Sequence, residues 1–250
     1  MFGDKTNVEV EIISASGKPV RKYSLEGKTF IEGKKGSEFS IKIKNPNAGR
    51  VEVVISVDGL SVITGKRANT KSDGYIIPGY DSVVIDGWRI SDDKVRKFFF
   101  TDKEASYVSK KDGDDTNCGV ISVVAYLEKA KVRIFSPDQG YPYGNLRPNH
   151  EWSRLFNSPT NIGAVYSCSA VPQTRGMTKG VSDSSFNLGT GMGEKQESKV
   201  KRVSFERGDA LTFISIFYAT RGSLIDMGID VEKTPAIKLP QGFSDFCEEI

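Results

Sequence analysis

The sequence predicts a mainly β protein: an antiparallel β sandwich or jelly-roll-like fold with a long loop excursion and one or two short helices. Three observations carry this. Apolar and polar residues alternate with period two through the first half of the chain, as Phe39, Ile41 and Ile43 do with Ser40, Lys42 and Lys44. That pattern turns one set of side chains to a core and the other to solvent. Turn residues such as Asn45-Pro46-Asn47-Ala48-Gly49 and Asp58-Gly59 punctuate the alternating runs. Finally, 250 residues with 38% hydrophobic and 10% aromatic content suffice for a packed core, whereas a disordered chain combines low hydrophobicity with a large net charge.

Taken in order, the alternation at Phe39–Ile43, the turn at 45–49 and the renewed alternation at Val51, Val53, Ile55 and Val57 read as an antiparallel hairpin. Gly74 to Gly79 reads as a short extended piece, and Ser82 to Asp86 as a strand leading to Trp88. Phe98, Phe99 and Phe100 in succession fit a strand buried on both faces. Gly119 to Leu127 and Val132 to Phe135 add strands, so residues 1–136 are expected to form an antiparallel β sandwich. Residues 137–250 are expected to be a loop-rich extension with further strands, at Lys199–Phe205 and Leu211–Tyr218, packed on the same core. Pro148 and Pro159 limit a helix at His150–Phe156 to about two turns. Arg221 to Met227 reads as a short C-terminal helix with Thr220 as N-cap and Gly228 as its C′ residue.

Composition removes several classes of function. Lys and Arg number 35 against 32 Asp and Glu, a formal net charge of +3, whereas tight nucleic-acid binding normally shows a strongly basic face. The longest uncharged apolar runs, Gly119–Leu127 and Ala210–Ala219, are half the roughly 20 residues that a membrane helix needs. The charged alternation Val8-Glu9-Val10-Glu11-Ile12 follows the first residues directly, without a signal-peptide core. A soluble protein made in the cytoplasm is the expectation. Cys118, Cys168 and Cys247 form no CxxC pair and read as free thiols. A single histidine leaves no His-rich metal site, and neither a metal nor a cofactor is expected.

The blocks Ser56-Val57-Asp58-Gly59, Gly74-Tyr75-Ile76-Ile77-Pro78-Gly79, Asp86-Gly87-Trp88-Arg89 and Leu188-Gly189-Thr190-Gly191-Met192-Gly193-Glu194 resemble those of a family of uncharacterised β-rich bacterial proteins. Asn117-Cys118-Gly119-Val120-Ile121 and the Tyr218–Ile229 stretch agree with it. The resemblance spans about residues 45–128 and 186–229, and implies a fold without assigning a chemistry.

Individual motifs favour structural readings. Gly189, Gly191 and Gly193 follow a GxGxG spacing rather than the dinucleotide GxGxxG, and read as a β turn or bulge. Cys118 with His150 as its base would make a nucleophile, but a small apolar residue entering a strand is the simpler account. Asp112, Asp114, Asp115 and Asn117 gather hard oxygen ligands suited to calcium at a spacing that misses the EF-hand, beside Lys110 and Lys111. A solvated loop is the preferred reading. Asp92-Asp93 reads as the first turn of a short helix capped by Ser91. The basic residues Lys195, Lys199, Lys201, Arg202 and Arg207 are interrupted by Glu194, Glu197 and Glu206.

Tyr141, Tyr143, Trp152 and Phe156 fall among Asn145, Arg147, Asn149 and Glu151. This set can anchor a protein interface, stack on sugar rings, or pin a loop onto the sandwich. The function expected is that of a non-enzymatic structural or assembly protein, specifically a virion subunit such as a capsid decoration or minor capsid protein, assembled in a host cytoplasm. Its contacts with other protein subunits would run through Tyr141, Tyr143, Arg147 and Trp152, with Phe243 and Phe246 as secondary anchors. The alternative is a carbohydrate-binding module that uses the same aromatic loop on a glycan. An acid/base enzyme would need two converging carboxylates, for which no motif is present. Neither a membrane nor tight nucleic-acid binding is expected.

Overall fold

In the computed structural model, residues 7–129 and 187–232 are described. The alternating runs become β1 (Glu9–Ser14), β2 (Lys22–Leu25), β3 (Lys28–Glu32), β4 (Glu38–Lys44), β5 (Val51–Val57), β6 (Leu60–Ser61), β7 (Tyr75–Ile77), β8 (Ser82–Ile85), β9 (Gly87–Arg89) and β10 (Lys94–Asp102). Helix α1 (Tyr107–Asp112), β11 (Val120–Glu128), β12 (Leu188–Glu197), β13 (Arg207–Ala219) and helix α2 (Arg221–Asp226) follow. No helix among the described residues is long and apolar enough to cross a membrane.

The strands form two sheets, and the fold is mainly β as the alternation predicts. The first runs β1-β4-β10-β12, with β8 on β4 and β9 on β10. β4 meets β10 only at Phe39 and Glu38, and from Ile41 to Lys44 its partner is β8. The second runs β2-β3-β13-β11-β5-β6, with β7 also on β5. Every pairing is antiparallel except β3 with β13. β13 therefore lies inside the second sheet, between β3 and β11, although it starts 79 positions after β11 ends.

Ile12, Ile41, Ile43 and Phe98 of the first sheet share one buried cluster with Val53, Ile55, Val123 and Ile216 of the second. Burying each such side chain is worth about 1.5–3 kcal/mol. Aromatic rings continue across the gap. Phe39 stacks on Phe100 at 4.4 Å, and Phe100 meets Tyr218 of the opposite sheet at 5.1 Å.

The expected hairpin between β4 and β5 does not form, because the two strands lie in different sheets. Both carry their own core-facing alternation, so the chain between them crosses from one layer to the other. Asn45 makes this crossing possible. Its buried amide donates to the carbonyls of Gly49 and Pro78 at 2.8 and 2.9 Å, and its Oδ1 accepts from the Asn47 amide at 3.0 Å. These bonds satisfy backbone groups that a hairpin ladder would have used.

Three further expectations change. Asp92-Asp93 starts no helix: the Ile90 amide bonds the Lys94 carbonyl at 3.1 Å, which makes a tight turn between β9 and β10. Lys199–Phe205 is not a strand but part of an irregular, mostly exposed segment, 198–206. The glycines of GxGxG lie within β12 rather than in a turn, and β12 carries one extra residue where the register shifts opposite Arg96 to Phe98, a bulge. A Cβ at Gly191 would come within 2.3 Å of the Phe99 ring that crosses it, so a larger residue there requires that ring to move.

The C-terminal helix agrees with its sequence signals. The Thr220 hydroxyl accepts from the Ser223 amide at 3.3 Å, and Gly228 follows with φ of 84°. α2 covers a second small core of Phe30, Ala219, Leu224, Ile229 and Val231. Helix α1 had no counterpart in the sequence reading. It is only six residues long, held by the Ser106 cap on the Ser109 amide and by Gly113 in the left-handed region.

Candidate functional site

Two polar places stand out, one sealed in the core and one open to solvent. The first begins at the Asp58-Gly59 turn between β5 and β6. Both residues have positive φ, 50° and 78°, as a type I′ turn requires, which explains the Asp-Gly pair. This backbone turns the Asp58 side chain inward, where it is fully buried. Its carboxyl accepts from the Gly119 amide at 3.0 Å, the Thr190 amide at 2.7 Å and the Tyr218 hydroxyl at 2.5 Å. The Tyr218 and Thr190 hydroxyls lie 2.8 Å apart.

Four segments thus close on one carboxyl: the β5–β6 turn, the entry to β11, β12 of the first sheet and β13 of the second. Burial pushes the Asp58 carboxyl up to about 7, against the pull of the Tyr218 hydroxyl and the amides. Burial, with the Asp58 charge beside it, holds Tyr218 well above its ordinary value, so it remains a hydroxyl donor. Among the described residues no buried side-chain polar atom lacks a hydrogen-bond partner. The cluster is a lock between the sheets, and no solvent-facing atom of Asp58 is left to meet a substrate.

Cys118 borders the lock and is 4% exposed, with its sulfur 3.5 Å from the Ser106 hydroxyl. Burial pushes its thiol up to about 12, so it stays protonated and unreactive near neutral pH. That matches the structural reading of this cysteine.

The second place is a groove of about 1070 Å³ lined by β7, by β9 and by residues of the 198–206 segment, which straps β12 to β13. The strap is fastened through the Ser198 and Val200 amides, which donate to the Asp93 and Asp92 carbonyls at 2.8 Å each. Ile76, Val83, Ile90, Val203 and Phe205 give the groove apolar surface, and Val203 is 56% exposed.

Charge in the groove is partly neutralised. Arg207 forks onto Glu52, with Nε and Nη2 each 2.6 Å from a carboxylate oxygen. Glu52 also accepts from the Gly74 amide at 3.0 Å. Arg50 forks onto Glu128, and Arg202 reaches Asp92 at 3.3 Å. Arg89 differs, because its guanidinium is held by the Tyr75 hydroxyl at 3.0 Å and the Ser198 carbonyl at 2.9 Å, and by no carboxylate among the described residues. Lys71 and Lys201 also line the groove and make no ion pair with a described residue. Asp73 lines the groove too and makes no ion pair with a described residue, but one guanidinium and two ammonium groups without ion pairs outnumber it, and this balance favours anions.

The predicted partner-binding residues divide by position. Tyr141, Tyr143, Arg147 and Trp152, together with His150, fall between β11 and β12 and lie outside the described residues, as do Phe243 and Phe246 beyond Glu232. Asp112 and Asp114 bond Arg67 at 3.2 and 2.7 Å, and Asp115 reaches Lys103 at 3.4 Å. The described residues contain no group of three or more His, Cys, Asp or Glu placed to share a metal ion.

Sequence reasoning took Asp58 only as a turn residue and did not single out Glu52 or Arg89. One signal was available for Glu52: it is the lone charge within the apolar run Val51–Val57, and a charge at such a place needs a partner. No protein-family model, curated protein or solved structure matches the chain.

Proposed function

We propose that the protein is a non-enzymatic assembly subunit whose sandwich is a rigid frame for contacts made outside it. The specific form proposed is a virion subunit, a capsid decoration or minor capsid protein, in which many weak copies gain strength together. The reading rests chiefly on where the chain between β11 and β12 leaves and rejoins the frame. That chain leaves the second sheet at Lys129, whose amide bonds the Glu206 carbonyl at 2.8 Å, and returns to the first sheet at Asn187, whose carbonyl accepts from the Lys103 amide at 3.0 Å. Both ends are fixed to a locked core, the usual setting for a recognition loop on a scaffold. The sequence between them contains Tyr141, Tyr143, Arg147 and Trp152, residue types that dominate interface energetics.

Light scattering on the purified chain across a concentration series tests this. Oligomers that grow with concentration, and that weaken in Trp152→Ala at an unchanged monomer melting temperature, are expected. A lowered melting temperature with undiminished assembly would remove Trp152 from the interface. A strict monomer that binds a glycan array through Trp152 would instead establish the carbohydrate-binding alternative.

A further inference from the structure

We propose that the groove beside the 198–206 strap receives the acidic, aromatic segment Pro240–Glu249 of a second copy of this chain; the inference rests on the assembly reading and names one of its contacts.

The two surfaces match in chemistry. The segment Pro240-Gln241-Gly242-Phe243-Ser244-Asp245-Phe246-Cys247-Glu248-Glu249 contains three acids and two phenylalanines and no lysine or arginine. The groove offers apolar surface at Ile90, Val203 and Phe205, and cations at Lys71, Arg89 and Lys201 with no carboxylate partner among the described residues. Phenylalanines that reach apolar surface while flanking acids meet fixed cations give both burial and register.

Position within the fold favours a neighbouring copy as the donor. The described chain ends beside β2, where Arg21 and Tyr23 donate to the Val231 carbonyl at 3.3 and 3.5 Å. The groove lies at the other edge of that sheet, beside β7, beyond β3, β13, β11 and β5. Five strand steps at about 4.8 Å put roughly 24 Å between the two edges. Phe243 lies eleven positions beyond Glu232, a span that reaches about 36 Å when nearly straight. A chain filling its own groove would have to spend about two thirds of this reach on a path where α2 and its small core already cover part of the sheet. Donor and acceptor at opposite edges instead produce a head-to-tail contact, which repeats from copy to copy.

The test uses the full chain. A labelled peptide spanning residues 238–249, with Cys247→Ser, is titrated by fluorescence anisotropy against the wild type and against Lys71→Glu/Lys201→Glu, two exposed positions whose substitution leaves the core intact. Light scattering follows the same proteins and a tail variant, Asp245→Lys/Glu248→Lys/Glu249→Lys. Saturable peptide binding that weakens at least tenfold in the groove variant is expected, together with loss of oligomers in either variant alone and their return in the combined charge swap. Peptide affinity unchanged by the groove substitutions would overturn the proposal. Oligomers that persist in the tail variant would overturn it too, while leaving the assembly reading in place. A wild type monomeric at every concentration would overturn the assembly reading itself, and peptide binding by such a monomer would assign the groove to the chain's own tail.

Discussion

The Asp58 lock and the strap groove are built from the same kinds of residue, yet they do opposite work. In the lock, one fully buried carboxyl takes three donors from three segments inside the sandwich. In the groove, acids and guanidiniums pair at the surface, while Arg89, Lys71 and Lys201 have no carboxylate partner among the described residues. The difference lies in solvent. A buried polar group is costly to leave unpaired, so its partners are all internal. An exposed charge costs little without a partner and stays available to a second molecule.

The sharpest way to break the comparison is Asp58→Ala. It strands the Gly119 and Thr190 amides in the core and leaves the Tyr218 hydroxyl only its Thr190 neighbour, and a loss of about 3–5 kcal/mol in urea unfolding is expected. A loss below about 1 kcal/mol would mean that the sheets do not depend on this carboxyl.

The lock also predicts a pH dependence with a definite sign. Asp58 titrates near 7 when folded and near its ordinary value of about 3.9 when unfolded. Between these values the unfolded chain releases a proton that the folded chain keeps, so stability falls as pH rises from about 4 to about 7 and levels off above. The drop is at most about 4 kcal/mol. In Asp58→Asn, whose side chain tolerates the positive φ, this contribution to the slope should vanish. An unchanged slope would assign the dependence to other groups.

A smaller effect is expected at the junction of the two regions. Glu52 is 7% exposed and holds both the Arg207 fork and the Gly74 amide. Glu52→Ala leaves a half-buried guanidinium without its carboxylate and should cost about 2–3 kcal/mol by thermal or urea unfolding. The smallest effect belongs to the groove itself. Lys71→Ala/Lys201→Ala should change stability by no more than about 0.5 kcal/mol, which makes these positions suited to binding tests.

Much of the fold was legible because burial imposes a period on strands. β4, β5, β10, β11 and β13 all follow from alternation or from doubly apolar runs, and α2 from the cap residues Thr220 and Gly228. Strand partners were less legible. Nothing in the period of β4 and β5 distinguishes a hairpin from a crossing between layers, and Asn45 settles it through bonds to residues more than thirty positions away. The 198–206 segment misled for a related reason. Val200, Val203 and Phe205 interspersed with Lys199, Lys201, Arg202 and Ser204 resemble a half-buried strand, but the Ser198 and Val200 amides are spent on the β9–β10 turn.

The candidate sites follow the same division. Asp-Gly identifies a turn in any sequence, whereas the inward aim of Asp58 depends on amides from residues 119 and 190 and a hydroxyl from residue 218. The groove is assembled from β5, β7, β9 and the strap, so its charge balance emerges only once the chain is folded. Cys118 was legible because its neighbours announced a buried strand entry, and burial alone then sets its reactivity.

Amide hydrogen exchange of the full chain, followed from dilute to concentrated solution, tests the contrast between sealed interior and available exterior most directly. Protection of the Gly119 and Thr190 amides should be high and independent of concentration, while protection across residues 198–206 should rise as copies meet. Strap exchange that is identical at every concentration, or lock amides that exchange as fast as the strap, would contradict the account.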